Sequence, residues 1–138
     1  MPNFGTSDFL DSLQAKRIAV YSSFIKSYGR SIVTKKIDVQ ELTEFNMETA
    51  LIGGDSVLRN LLEWQRIQQK ALKTKDMIPV FIQLGKLFLE MRRELNPITE
   101  LGIKDVLRSF IRDLDTQPRL LKMIEEAESK PNKSITPP

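Results

Sequence analysis

Apolar side chains recur at three- and four-residue steps along most of this chain, which is the spacing of one face of an α-helix. The first such series begins near Asp8 and contains Leu10, Leu13, Arg17, Val20 or Tyr21, Phe24 and Tyr28. Glycine weakens a helix interior, so we expect this first helix to kink or loosen between Gly29 and Thr34.

A second helix is predicted to open at Asp38, with Glu41 three residues later as in a capping box. Its apolar stripe contains Val39, Leu42, Phe45 and Ala50 or Leu51. We expect the Gly53-Gly54 pair to end it, because glycine adopts the left-handed conformation that other residues resist. Asp55 and Ser56 are then expected to cap a third helix with a wide apolar stripe around Trp64.

The segment from Met77 to Leu95 is the most apolar and predicts a central fourth helix, with Pro79 in its first turn. Gly85 lies within it and indicates close approach by a neighbouring helix. Asn96-Pro97 ends it, with the asparagine suited to a left-handed position. A fifth helix over about 104–114 and a short last helix follow.

No strand pattern persists, so the sequence predicts an all-α fold, a compact bundle of five to six helices around one core. We expect residues 1–129 to form a single helical domain and the proline-containing residues 130–138 to be a disordered tail.

The 138 residues include no histidine and no cysteine. This composition excludes the usual general base, the thiol nucleophile, disulfides and the common soft metal ligands. No phosphate-binding glycine motif occurs either. Ser23 and Lys26 have the spacing of a serine-lysine pair, but they lie on an amphipathic helix. We therefore expect no catalytic site, no cofactor and no metal.

Charge is unevenly distributed along the chain: residues 1–37 sum to +4 and residues 38–69 to −4, within a net charge of +3. One interpretation is that basic and acidic helices pack beside each other. The other is that the first helix offers a basic face to a partner, nucleic acid included, with Tyr21 and Tyr28 interleaved for stacking. The residues of this face would be Lys16, Arg17, Lys26, Arg30, Lys35 and Lys36.

Two short motifs carry a resemblance to a group of small uncharacterised bacterial proteins. The segment 51–57 resembles their Gly-Ser-Asp-x-Val motif, and the segment 91–96 resembles their Arg-(Lys/Arg)-Asp-Leu-Gly stretch. The chain departs from these motifs at Gly54, Glu94 and Asn96. The resemblance covers roughly residues 16–115 and implies an all-helical fold without adding a reaction.

Two residues of these motifs, Asp55 and Arg92, suggest a structural charge network together with Asp113. Asp55, Arg92 and Asp113 are placed at helix ends or on otherwise apolar helices, and a buried charge is tolerated only when it is paired. We therefore expect Arg92 to pair with at least one of the two acids in a partly buried network.

Together these features predict a non-catalytic module that works through a protein partner, as a small subunit or as a homo-oligomer. The first alternative is a nucleic-acid-associated protein that uses the basic first helix. An enzyme that uses carboxylates and a hard metal ion is a third class, which no motif supports. No apolar stretch is long enough to span a bilayer and no signal peptide is evident, so we expect a cytoplasmic protein, and the resemblance implies a bacterial one.

Overall fold

A computed structural model describes residues 6–129, apart from the side chains of residues 6–8, 32 and 33. Within that range the chain is all-α, which confirms the predicted fold class. Six α-helices are present: α1 (Thr6–Thr34), α2 (Val39–Ile52), α3 (Asp55–Thr74), α4 (Ile78–Leu95), α5 (Ile103–Arg108) and α6 (Pro118–Ser129), with a 3-10 turn at Leu114–Thr116. The expected tail at 130–138 lies outside the described residues.

Contacts within the chain divide it into two compact units, residues 1–58 and residues 59–138. The boundary falls inside α3, which is continuous across it. The expectation of one domain over 1–129 stays a prediction. Among the described helices, none combines the length and the apolar character needed to cross a membrane.

The first unit contains the helix pair α1 and α2. Arg30 contacts Glu41, Phe24 stacks on Phe45 and Arg17 reaches Ile52, so the two helices run antiparallel. The ring centroids of Phe24 and Phe45 are 4.1 Å apart. Stacked aromatic pairs stabilise a fold by about 0.5–1.5 kcal/mol beyond the area that they bury.

Helix α1 remains α-helical through Gly29, and the expected kink or loosening between Gly29 and Thr34 stays a prediction. The helix continues to Thr34 and ends at Lys35, which is left-handed with φ 58°. One glycine lowers helix stability by about 1 kcal/mol, which weakens a 29-residue helix without ending it.

The end of α2 also differs from the prediction, because Gly53 is extended (φ −70°) rather than left-handed. The glycine is required here for space. A Cβ at Gly53 would lie 2.7 Å from the Thr49 carbonyl oxygen and 2.9 Å from the Thr49 Cγ2. Asn96, after α4, is likewise not left-handed (φ −140°).

The second unit is built around α4, as the sequence predicts. Pro79 lies in its first turn, and the helix buries eight residues, including a glutamine: Val80, Ile82, Gln83, Leu84, Gly85, Leu87, Leu89 and Met91. A Cβ on Gly85 would lie 2.9 Å from the Cγ of Leu107 on α5. This confirms the expected close helix approach at Gly85.

Helix α5 is shorter than predicted and ends at Arg108 instead of about residue 114. The amide of Ile111 still donates to the Leu107 carbonyl at 2.8 Å, but the chain then turns through the 3-10 segment. That turn brings Leu114 into the core of this unit. One cluster of this core contains Ile82, Leu89, Ile103, Leu107, Leu114, Leu120 and Ile124.

Candidate interaction surface

The acidic helix α2 packs beside the basic helix α1, and Glu41 is the residue that joins them. Asp38 caps α2 as predicted, with its Oδ1 accepting from the Glu41 amide at 3.0 Å. The Glu41 carboxylate does not accept a hydrogen bond from the Asp38 backbone amide, as it would in a complete capping box. It accepts instead from Ser27 Oγ at 2.6 Å and from Arg30 Nη1 at 3.4 Å. Only half of the capping box forms, because its glutamate is used between helices.

Two of the six predicted basic-face residues are engaged inside the first unit. Arg30 forms the ion pair with Glu41, and Arg17 is half-buried with its Nε donating to the Ile52 carbonyl at 2.6 Å. The other four are exposed: Lys16, Lys26, Lys35 and Lys36. The interpretation of basic and acidic helices packed side by side therefore describes part of this face.

Between α1 and α2 lies a shallow groove of about 270 Å³, where Lys26 and Arg30 line one side and Glu41, Glu44 and Glu48 the other. An adjoining groove of about 430 Å³ lies at the connection between the two helices and is lined by Arg30, Lys36, Asp38 and Glu41, among others. Both grooves carry charges of both signs, and this mixture favours neither a purely anionic nor a purely cationic ligand.

The predicted charge network needs correction, because Asp55, Arg92 and Asp113 are all exposed. Arg92 Nε donates to Thr99 Oγ1 at 2.8 Å, and Asp113 accepts from Gln117 Nε2 at 3.1 Å. Asp55 belongs to the first unit, in the first turn of α3. At the end of α4, Arg92 reaches solvent and needs no buried counter-ion.

Chemistry-bearing side chains do not converge within the described residues. No group of three or more acids there has metal-binding geometry. The buried amide of Gln83 is satisfied locally, with its Nε2 donating to the Asn60 backbone and side-chain oxygens at 3.1 and 3.0 Å. A polar group held in this way stabilises a helix pair rather than offering a reactive group.

Apolar exposure separates the two units more clearly than charge does. Among the described residues, the first unit buries five hydrophobic side chains and exposes eight large ones. In the second unit fourteen are buried and six are exposed. Scattered exposed hydrophobics are normal, so the arrangement of the exposed side chains matters more than their number.

The most exposed apolar side chains of the first unit lie along the outer side of α2. Val39, Met47 and Leu51 are 71%, 68% and 84% exposed, and Thr43 lies between the first two. The Thr43 hydroxyl donates to the Val39 carbonyl at 2.8 Å, so its hydrogen-bonding need is met within the helix. We call Val39, Thr43, Met47 and Leu51 the outer stripe of α2.

Sequence reasoning missed this stripe because α2 has apolar residues on two sides. It assigned Val39 and Leu51 to the packing face together with Phe45. The structure buries Phe45 and Thr49 and turns Val39 and Leu51 outward. Met47 and Leu51, four residues apart, were the signal for a second face.

Comparison with known proteins gives no relative: no family model, curated protein or solved structure matches the chain. The resemblance to small uncharacterised bacterial proteins therefore stays a prediction.

Proposed function

We propose that this chain is a non-catalytic protein-interaction module that binds a protein partner through the outer stripe of α2. The observation that carries the proposal is the arrangement of exposed apolar side chains along one side of α2. Covering that surface would remove apolar area from water, which is favourable by about 25 cal/mol per Å² before the costs of association.

Charge around the stripe supports a particular kind of partner. Helix α2 contains three glutamates and no lysine or arginine, and Glu41 is paired with Arg30 of α1. Glu44 is exposed and accepts from Gln40 on the same helix. An amphipathic helix with apolar residues flanked by lysine or arginine would complement this surface.

The test is capture from native lysate with three forms of the tagged chain: the wild type, a Met47→Glu/Leu51→Glu variant and a Leu72→Glu control. Leu72 is 67% exposed on α3, outside the stripe. We expect one protein to be retained by the wild type and the control and lost from the double variant, because a buried unpaired carboxylate is costly. Equal capture by all three forms would contradict the proposal.

The four exposed lysines of the basic face favour nucleic acid as a second candidate partner. Dividing each sample into nuclease-treated and untreated halves tests it directly. This alternative would be favoured if capture disappears after nuclease treatment and if the Lys16→Glu/Lys26→Glu double variant also loses it. Binding to phosphates would also weaken steeply with added salt.

We keep a bacterial cytoplasmic setting as part of the same proposal. Fractionation of cells that produce the tagged chain, with marker proteins for each compartment, tests the location.

A further inference from the structure

The outer side of α1 carries a second apolar surface, separate from the outer stripe of α2. Ile18 and Ile25 are 51% and 49% exposed and lie seven residues apart. Ala15, Ser22 and Gly29 alternate with them, also at seven-residue spacing, and all three are exposed. A Cβ built on Gly29 meets nothing within 4 Å. We call these five residues the α1 seam.

A seven-residue repeat of this kind is the spacing at which two helices remain in contact along their length. In paired helices, side chains with this spacing face the partner helix. The α1 residues that contact α2 are others: Phe24 stacks on Phe45, and Arg17 donates to the Ile52 carbonyl. The small residues would let a second helix approach to about 8 Å, the lower end of normal interaxial distances.

We propose that the α1 seam pairs with the same seam of a second copy of this chain, with the two α1 helices antiparallel. Shape supports a second copy as the occupant. In an antiparallel pair centred between Ser23 and Phe24, Ile25 lies beside Ser22 of the second copy and Ile18 lies beside its Gly29. Each large residue then meets a small one, so the surface is complementary to itself.

Charge supports the same arrangement. Asp11 continues the seven-residue spacing of Ile18 and Ile25 toward the start of α1, and Lys35 and Lys36 follow its end. All three are exposed. The antiparallel pair places Asp11 of each copy near Lys36 of the other. A parallel pair would place like charges together and would match isoleucine with isoleucine and glycine with glycine, which leaves gaps.

Affinity is expected in the micromolar range, because each copy contributes only two large apolar side chains to the seam. Sedimentation across a range of concentrations measures it. We expect Ile25→Glu to raise the dissociation constant at least about tenfold, while Leu72→Glu and Met47→Glu leave it unchanged. Circular dichroism checks that each variant keeps its helices.

Orientation is tested by disulfide formation, since the chain has no cysteine of its own. Ser22→Cys and Ile25→Cys are made separately, one with a tag that changes its mass, and are then mixed under mild oxidation. We expect the mixed disulfide to form faster than either homodimer. Faster linkage of Ser22→Cys to itself would indicate a parallel pair and overturn the proposal, as would a wild type that stays monomeric at all concentrations.

The two proposals fail separately. Loss of dimerisation in Met47→Glu but not in Ile25→Glu would overturn the α1 seam and assign self-association to α2. Capture of a partner by Ile25→Glu would keep the proposed function whatever the dimerisation result.

Discussion

Helices α1 and α4 show how differently the two units use their apolar residues. Helix α4 buries eight of its 18 residues, and it contacts α5 so closely that a Cβ at position 85 would lie 2.9 Å from the Leu107 side chain. Helix α1 is longer, with 29 residues, yet it buries Val20, Tyr21 and Phe24 along one side and leaves Ile18 and Ile25 outside. Helix α4 therefore places most of its apolar residues in the interior of its own unit, whereas α1 leaves part of its apolar surface exposed.

Two leucine-to-alanine changes should give the largest contrast between the units. Leu107 is fully buried in the core of the second unit, so Leu107→Ala is expected to lower the free energy of unfolding by about 2–5 kcal/mol. Leu51 is 84% exposed, so Leu51→Ala is expected to change the free energy of unfolding by less than about 0.5 kcal/mol. Urea denaturation of the isolated chain measures both. A large loss for Leu51→Ala would mean that the stripe is buried in the free protein.

Two glycine-to-alanine changes sharpen the comparison, because both glycines lie inside helices. Gly85→Ala would force Leu107 to move, and overpacking of this kind costs about 1–3 kcal/mol. Gly29→Ala meets no neighbour and should stabilise the chain by about 0.5–1 kcal/mol through helix propensity. Thermal and urea unfolding of dilute samples measure the difference. Equal effects of the two changes would contradict the assigned packing of α4 against α5.

The smallest expected effect concerns an exposed ion pair of the second unit. Arg119 donates to both oxygens of Asp76, at 3.3 and 2.5 Å, and this hydrogen bonding lowers the pKa of the Asp76 carboxyl below its usual value of about 3.9. The contribution to stability is therefore present above about pH 4 and is lost as the pH falls through the folded-state pKa.

Asp76→Asn tests this contribution. In the wild type the Ile78 amide donates to Asp76 Oδ1 at 3.2 Å, and the side-chain oxygen of asparagine can still accept this hydrogen bond. The difference in urea midpoint between wild type and variant should shrink as the pH is lowered from neutral, and also as salt is added. A double variant with Arg119→Gln should behave like Asp76→Asn alone. A wild-type advantage that grows in acid would reverse the predicted sign.

The sequence predicted those features that depend on local rules. Pro79 at the start of α4, the Asp38 cap and the close approach at Gly85 follow from residue type and spacing, and the structure confirms them. The end of α5 depends on where Leu114 packs, and the extended Gly53 depends on its contact with Thr49. Such tertiary contacts are not visible in periodicity.

The candidate surface was harder to predict than the fold. Apolar periodicity shows that α2 has an apolar side, but it does not tell which of two apolar sides faces the protein. The Arg92 network rested on the assumption that charges at helix ends or on otherwise apolar helices are partly buried, and a long arginine at a helix end can instead extend into solvent. The Arg30–Glu41 pair, by contrast, follows from the opposite charges of neighbouring segments.

The aromatic residues are distributed so that each unit has its own optical signal. Both tyrosines of the chain, Tyr21 and Tyr28, lie on α1 in the first unit. The single tryptophan, Trp64, lies in the second unit and is 3% exposed. Burial raises the pKa of the Tyr28 hydroxyl, so its ionisation in alkaline solution reports on α1. Tyrosine absorbance and tryptophan emission can therefore show, without any label, whether the two units unfold together or one after the other.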